Sequence, residues 1–461
     1  MQPVAIADLR RVIGAHLIVG SEERPVLGIA TDSRNLRPGE LFFALPGRRF
    51  DGHDFVAEAL QRGAAGAVVS RLTSGALPPG DYCLLLVEDT LAALQQWARA
   101  YRLRFPVLTV GITGSTGKTT TKDLVAQVLS TRWPTVATRG NFNNEIGLPL
   151  TLLELGPEHG ALVVEMGMRG PGEIAFLCSL AVPQYGIITN IGPAHIERLG
   201  SLENIAAAKG ELLAGLGNEG LAVLNYDDLY CRSLGERYPC RVCYFGLGEG
   251  AEVRAEQIEV TPQGYRFQVR MAGRTQPVSL PLWGRHNVLN ALAALALGQA
   301  VGLEPEVMAE ALSRARISGM RLEPVPGWGG SLILNDAYNA NPASVRSALE
   351  VLAERRRGRA IAVLGDMLEL GDYGPVAHRE VGRTCARLGI DLLVTVGEAA
   401  REIAAGALAG GMAPERVHLF ASPEPAADFL RSHLREGDLV LVKASRALGL
   451  ESLVRALQTE P

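Results

Sequence analysis

An eight-residue run, Thr113-Gly114-Ser115-Thr116-Gly117-Lys118-Thr119-Thr120, constrains this chain more than any other stretch, because it lies between an apolar segment, Pro106 to Val110, and an amphipathic segment that starts near Lys118. Strand, glycine loop and helix start in that order make a phosphate cradle. Glycines let backbone N–H groups approach phosphate oxygens, the helix N-terminus adds partial positive charge, Lys118 neutralises the outer phosphates, and Thr119 offers a hydroxyl to Mg²⁺. Gly114, Ser115, Thr116, Gly117, Lys118, Thr119 and Thr120 are therefore the expected binding set for ATP or GTP. The run departs from G-x-x-x-x-G-K-[ST] at its first position, where Ile112 stands and Gly111 falls one residue early. Gly114 is expected to take over the turn.

At 461 residues, 47% of them hydrophobic, the chain is too long for one ordinary core, and ~150 residues per domain predicts about three. The formal charge of −4, from 45 basic and 49 acidic residues well interspersed, gives no electrostatic footprint for nucleic acid. Small-molecule partners are expected, with no nucleic acid. Met1 to Gly20 carries Asp8 early and lacks a basic start followed by an apolar block, so a secretory signal is not expected. The longest apolar run, Ala291 to Gly298, falls short of the ~20 residues that span a bilayer. A cytoplasmic monomer with no membrane insertion is expected. Six cysteines are too few for a disulfide framework, and the Cys240-x-x-Cys243 pair has no second pair to complete a zinc site. It reads as part of a buried strand.

The first hundred residues mix strand candidates (Leu27 to Thr31, Leu41 to Leu45, Ala67 to Val69, Leu84 to Val87) with helical stretches at Asp54 to Arg62 and Leu91 to Tyr101. The basic Arg99 to Arg104 segment, before Pro106, reads as a hinge into the nucleotide domain. From Pro106, apolar runs at Leu108 to Gly111, Leu162 to Glu165, Gly186 to Thr189 and Leu221 to Leu224 alternate with helical patterns, which implies a parallel sheet covered on both faces. Ala251 to Leu282 alternates polar and apolar residues and predicts antiparallel strands. After Arg316-Ile317-Ser318-Gly319, four more strand candidates (Leu332 to Leu334, Ala360 to Leu364, Leu392 to Val396, Leu439 to Val442) each end in a polar or glycine cluster. Such ends line one edge of an open α/β sheet, where ligands bind. The fold class expected is α/β in three domains: a small N-terminal α/β domain (1–103), a central P-loop-type parallel-sheet ATP domain (104–316) and a C-terminal doubly wound α/β domain (317–461).

Several constellations outside the loop carry chemistry. Glu165 closes the strand Ala161 to Val164 where a P-loop enzyme can place an acidic metal partner, and the phosphate loop favours that reading over an acid facing water at a strand end. His195 follows another strand end, in Thr189-Asn190-Ile191-Gly192-Pro193-Ala194-His195, with structural and metal-binding readings balanced. Asn141-Phe142-Asn143-Asn144-Glu145 offers three amides, which cap and turn chains but also suit a polar substrate. Asn287 and Asn290, three apart, share a helix face and match the paired donor and acceptor edges of a purine, while capping explains Asn287 equally well. Lys209, after Ile205-Ala206-Ala207-Ala208, reads by pattern alone as an exposed helix lysine.

Taken together these residues resemble the Mur ligases over essentially the whole chain. The resemblance runs through Thr31-Asp32-Ser33-Arg34, Asp51-Gly52-His53, the phosphate loop, Asn141 to Pro149, Glu165-Met166-Gly167, His195, Ala208-Lys209-Gly210-Glu211, His286-Asn287, Asp336-Ala337-Tyr338-Asn339-Ala340-Asn341-Pro342 and Gly365-Asp366-Met367-Leu368-Glu369-Leu370-Gly371. It implies a first domain that holds a UDP-sugar, a second that holds ATP, and a third that closes over ATP and the incoming amine. A peptide carboxylate would be phosphorylated to an acyl phosphate, which the amine displaces. The substrates implied are UDP-N-acetylmuramoyl-tripeptide and D-alanyl-D-alanine. By resemblance Thr119 and Glu165 match the positions holding a first Mg²⁺, and His195 and Lys209 those of a second, with Lys209 carbamylated; Lys118, Lys209 and His195 are the catalytic set. Gly210 leaves room for the added group. Asn287 and Asn290 match adenine contacts, and Arg321 and Asp336 match groups reaching phosphate and ribose from the third domain. Ser33 and Arg34 fall in the UDP-sugar site, and Asn141, Asn143, Asn144, Asn339 and Asn341 join the expected substrate set. Lys443-Ala444-Ser445-Arg446 departs from the family pattern, which has glycine where Ala444 stands; if that position needs positive φ, Ala444 strains the loop by ~1 kcal/mol or more.

Two other readings compete. A sister ligase adding the third residue shares the first-domain motifs, but the chain has no Asp-Asn-Pro-Arg signature. A nucleotide-gated binding protein would hydrolyse ATP without joining substrates.

Overall fold

The computed structural model describes residues 1–47, 49–72, 77–194 and 196–459. The chain forms two compact units, each built from more than one stretch of sequence: 1–111, 132–168 and 172–186 make the first, and 112–131, 169–171 and 187–461 the second.

The first unit contains a five-stranded sheet in the order His16–Val19, Cys83–Leu86, Gly66–Val69, Glu40–Phe43, Gly28–Ala30. All neighbours are parallel except the first pair. Four of these strands fall on the apolar runs of the sequence; His16–Val19 is largely exposed, so it lacks the buried periodicity that would reveal it. Helix Val56–Gln61 buries Val56, Ala59 and Leu60 against the Phe42, Ala44, Ala67 side of the sheet. Strands Ala161–Glu165 and Thr135–Ala137 pair in parallel in the same unit.

The segment read as a hinge is part of a firmly packed helix, Thr90–Arg102. Asp89 caps it by accepting from the backbone N–H groups of Leu91 and Ala92. At its end the buried Arg102 guanidinium donates to Ala181 O (2.7 Å), Phe105 O (3.0 Å) and Thr109 Oγ1 (2.6 Å), and Arg99 donates to Ser179 O. A basic run before proline looks like a linker in sequence, whereas here its charges tie loops together.

In the second unit Leu221–Asn225, Arg241–Gly246 and Val253–Val260 are parallel neighbours, followed by antiparallel Tyr265–Met271 and Arg274–Leu280. The polar and apolar alternation of 251–282 thus marks a meander with one buried face, as in Tyr265–Met271, whose odd positions are buried. Cys240 and Cys243 are buried free thiols, and burial pushes the Cys243 pKa up to about 12.

A six-stranded sheet follows in the order Glu323–Pro326, Leu332–Asn335, Leu439–Lys443, Ala360–Gly365, Leu392–Val396, Val417–Phe420, parallel except for its first pair. Alternation along each strand feeds two cores: Leu334, Ala362, Leu364, Leu393 and Leu441 on one face, Ile333, Ile361, Val363, Val394 and Val440 on the other. This is the doubly wound arrangement. The two outer strands were not legible in sequence, because Glu323–Pro326 is proline-interrupted and mostly exposed and Val417–Phe420 buries one residue. Ala444 is fully buried and does not have positive φ, so the strain expected there does not arise. Arg355, at the end of helix Pro342–Arg355, lies 5.1 Å from the ring centroid of Tyr265 and 5.3 Å from that of Trp283, and donates to the carbonyls of Thr261 and Gly264. The helix of the last sheet is thereby docked on the meander. No helix among the described residues is long and apolar enough to cross a membrane.

Candidate active site

Strand Leu108–Thr113 and helix Lys118–Leu129 bracket the phosphate loop. Ile112 is a fully buried strand residue, and the turn falls at Gly114, with φ 147°. A Cβ there would lie 1.9 Å from Thr189 Oγ1, and one on Gly117 (φ 79°) 2.5 Å from Asn290 Oδ1. Both positions therefore require glycine, for space as well as backbone conformation. The loop is fastened to a neighbouring strand end: Thr189 Oγ1 donates to Thr116 O (2.6 Å), Thr116 N donates to Asn190 Oδ1 (3.0 Å), and Ser115 Oγ donates to Gly192 O (2.9 Å). Asn225 Nδ2 in turn donates to Thr189 O. Thr189, Asn190 and Asn225 were missed as site residues. Their signal was position after an apolar strand, which the expectation used only to reach His195.

Lys118 Nζ donates to Gly114 O at 2.9 Å, and Lys209 Nζ donates to the same oxygen at 3.1 Å. Lys209, in helix Leu202–Leu216, is 2% exposed, which corrects the surface reading. An alanine-rich helix pattern is equally that of a helix buried on several sides. Burial, then the charge of Lys118, pull its pKa well below the ordinary lysine value, favouring the neutral amine. Gly210 does not supply free room, because a Cβ there would meet Leu234 Cδ2 at 2.8 Å and Tyr238 at 3.0 Å. His195 lies outside the described residues.

A cavity of about 130 Å³ opens beside the loop, with Thr116, Gly117, Asn287, Asn290, Arg321 and Asp336 in its wall. Asn287 and Asn290 share a face of helix His286–Ala300, whose N-cap is Arg285 rather than Asn287. Asn287 Nδ2 donates to Trp283 O (2.7 Å), Asn290 Nδ2 to Asn287 Oδ1 (2.8 Å), and Thr121 Oγ1 to Asn290 Oδ1 (3.2 Å). The chain of amides fixes both side chains before a ligand arrives.

Arg321 Nη2 donates to Thr119 Oγ1 at 2.7 Å. Its neighbours Met320 (φ 59°) and Leu322 (φ 53°) are both left-handed, a conformation costing ~1–2 kcal/mol per non-glycine residue. Ahead of this turn the connection is bound to the phosphate-loop helix: Ser318 N donates to Asp123 Oδ2 and Arg316 N to Gln127 Oε1. Asp336 Oδ2 accepts from Lys443 Nζ (2.6 Å), and Asp336 Oδ1 from Leu322 N (3.3 Å). His286 lies in the same wall, and burial lowers its pKa to about 4, with Asp336 opposing and Lys443 reinforcing the shift.

The remaining expected residues are spread out. Ser33, buried, donates to Glu58 Oε2, while exposed Arg34 pairs with Asp32 through two N–H groups. Near them Asp51 Oδ1 meets buried His53 Nδ1 at 2.6 Å, and His53 Nε2 accepts from Ser70 N. Asn143 Nδ2 donates to Glu165 Oε1 at 2.7 Å, fixing a carboxylate that is 3% exposed. Asn144 Oδ1 accepts from Gly147 N at the start of the next helix, and Asn141 is exposed. Asn341 forms a capping box with Ser344, and exposed Asn339 gives its carbonyl to Lys443.

Among the described residues no three His, Cys, Asp or Glu side chains form a metal-binding group. Taken singly, the Thr119 hydroxyl and the buried Glu165 carboxylate held by Asn143 are hard oxygen donors of the kind Mg²⁺ takes.

A phosphate loop backed by a lysine pair and a walled cavity, on parallel-sheet α/β layers, defines a nucleotide-using P-loop protein. Three family domains match in succession: Mur ligase family, catalytic domain at residues 25–102, Mur ligase middle domain at 112–298, and Mur ligase, glutamate ligase domain at 320–446. The chain belongs to the Mur ligase family. It is 39% identical to UDP-N-acetylmuramoyl-tripeptide--D-alanyl-D-alanine ligase of Bacillus subtilis, covering 95% of both chains, and 38% identical to that of Escherichia coli, covering 93% of both. Among solved structures it is similar to MurF from Acinetobacter baumannii (33% identity, TM-score 0.87, 98% of both chains) and to MurF ligase from Thermotoga maritima in complex with ADP (31% identity, TM-score 0.81, 93% of this chain and 96% of that one).

Proposed function

We propose that the chain joins D-alanyl-D-alanine to UDP-N-acetylmuramoyl-tripeptide at the expense of ATP. A carboxylate oxygen of the tripeptide attacks the terminal phosphorus, the bond to ADP breaks, and an acyl phosphate results. The amine of D-alanyl-D-alanine then attacks the carbonyl carbon, loses a proton and expels phosphate. Phosphoryl transfer asks a protein chiefly for positioning and charge neutralisation. Lys118 and the loop N–H groups supply the second, Asn287 and Asn290 orient the base, and Asp336 addresses the ribose. Ser33 and Arg34 address the UDP-sugar.

The observation that carries this reading is Arg321 on Thr119. A cation from beyond the 316–318 connection meets the phosphate-loop hydroxyl, an arrangement that a plain nucleotide-binding module does not need. Mg²⁺ would screen the phosphate charges, with Thr119 and Glu165 as the residues to hold a first ion and His195 and Lys209 a second. Lys209 would serve as a carbamate: the neutral Nζ adds to the carbon of CO₂, an N–C bond forms and one proton leaves. Its burial beside a second cation supports this, since an anion there relieves the repulsion from Lys118.

Phosphate release measured with lysine- and diaminopimelate-ending tripeptides, with and without D-alanyl-D-alanine, tests the reading. Release that needs both substrates supports it; release with ATP alone would instead mark a nucleotide-gated ATPase.

A further inference from the structure

We propose that Tyr338 is a positioning residue that holds Arg321 ready for the nucleotide phosphates without lowering its charge. The proposal rests on the ligase reading above. Arg321 lies with its guanidinium carbon 4.4 Å from the ring centroid of Tyr338 while Nη2 reaches Thr119. Met320 and Leu322 turn it inward with left-handed backbone, and it forms part of the cavity wall. Its Nε is buried and has no hydrogen-bond partner among the described residues. A buried guanidinium N–H beside a cavity is a donor awaiting an anionic acceptor.

The choice of an aromatic neighbour has a physical reason. A carboxylate beside Arg321 would neutralise it and occupy the same N–H groups that a phosphate oxygen needs. A ring face attracts the cation through its quadrupole and occupies none of the in-plane donors. Arg446 lies 5.8 Å from the same ring, at the outer limit of such contacts, and Arg321 holds the close position at 4.4 Å. Tyr338 therefore supplies orientation while the charge of Arg321 stays available.

The test is a double-mutant cycle on the full-length enzyme, using Y338L, Y338F, R321A and Y338L/R321A, with kcat and the KM values for ATP and tripeptide measured separately. Y338L is expected to lower kcat/KM for ATP about tenfold, with the tripeptide KM unchanged. Y338F, which keeps the ring, is expected to restore it to within about twofold. In the R321A background Y338L is expected to have no further effect. Additive losses, or an equal loss in Y338F, would overturn the proposal, as would a Y338L enzyme of wild-type rate. Should Y338L fail to fold by thermal melting, Y338M replaces it in the same cycle. An R321A enzyme of undiminished activity would instead count against the ligase reading of Arg321 itself.

Discussion

Lys118 and Lys209 donate to one acceptor, the carbonyl oxygen of Gly114, from 2.9 and 3.1 Å. Burial, then the charge of Lys118, hold the Lys209 pKa well below the ordinary lysine value, so the second amine at this oxygen favours its neutral form.

Lys209→Ala should lose most ligase activity while still binding an ATP analogue. Lys209→Glu, or added formate, should restore part of it by replacing the missing anion. Activity in CO₂-free buffer should fall and return with bicarbonate. A crystal structure with Mg²⁺ and ATP showing a plain lysine at 209 would remove the carbamate.

Lys118→Ala should cost ~3–4 kcal/mol of transition-state stabilisation, the typical loss for a preorganised group in a site that excludes water, with little change in folding. Steady-state kinetics decide the matter: more than about a tenth of the wild-type rate retained, a loss below ~1.4 kcal/mol, is too much for a phosphate cradle.

Gly117→Ala places a methyl 2.5 Å from Asn290 Oδ1 on a backbone of φ 79°. Strain of ~1–3 kcal/mol should reach the loop and the asparagine pair together, raising the nucleotide Kd by about tenfold or more. Calorimetric titration with an ATP analogue reads this, and unchanged affinity would mean that the loop can shift freely.

His286 should make stability fall in mild acid. Its folded pKa of about 4 lies below the ordinary 6.5, so between those values the unfolded chain takes up a proton that the folded one refuses. The contribution is complete above pH 6.5 and is lost progressively toward pH 4, by about 3 kcal/mol in all. Asp336 and Lys443 are the charges acting on it. Denaturant unfolding of the wild type and His286→Gln at pH 7.5 and 5 should show a smaller drop in the variant; parallel drops would assign the acid sensitivity to other groups.

Arg102→Met should destabilise the first unit by ~3 kcal/mol, because Ala181 O, Phe105 O and Thr109 Oγ1 lose a buried donor. Urea unfolding measures it, and a change below about 0.5 kcal/mol would mean that water replaces the guanidinium.

Strands buried on both faces, such as Ala360–Gly365 and Leu392–Val396, announce themselves as unbroken apolar runs, and the phosphate loop announces itself because glycine and lysine have few other reasons to alternate so. Exposed edge strands such as Glu323–Pro326 carry no such signal. Lys209 shows the opposite difficulty: its burial comes from the packing of a whole helix, and nothing local to Ala208-Lys209-Gly210 states it. Likewise Thr189 and Asn190 hold the phosphate loop across 73 and 74 residues of sequence, and Asn225 backs Thr189 across 36, whereas single-sequence reading pairs only near neighbours.

The first compact unit is assembled from 1–111, 132–168 and 172–186, and this sets an order of events at the ribosome. Its contacts, such as Tyr101 Oη to Leu155 O and Arg102 to Ala181 O, cannot close until residues 155 and 181 have emerged, and the unit is complete only with residue 186. By then the phosphate loop is already outside the exit tunnel, waiting for strands some tens to hundreds of residues downstream. A nascent chain exposed only as far as residue 186 would therefore hold a finished first unit attached to an unsupported glycine loop, and a fragment ending at residue 103 would present an unclosed core to chaperones.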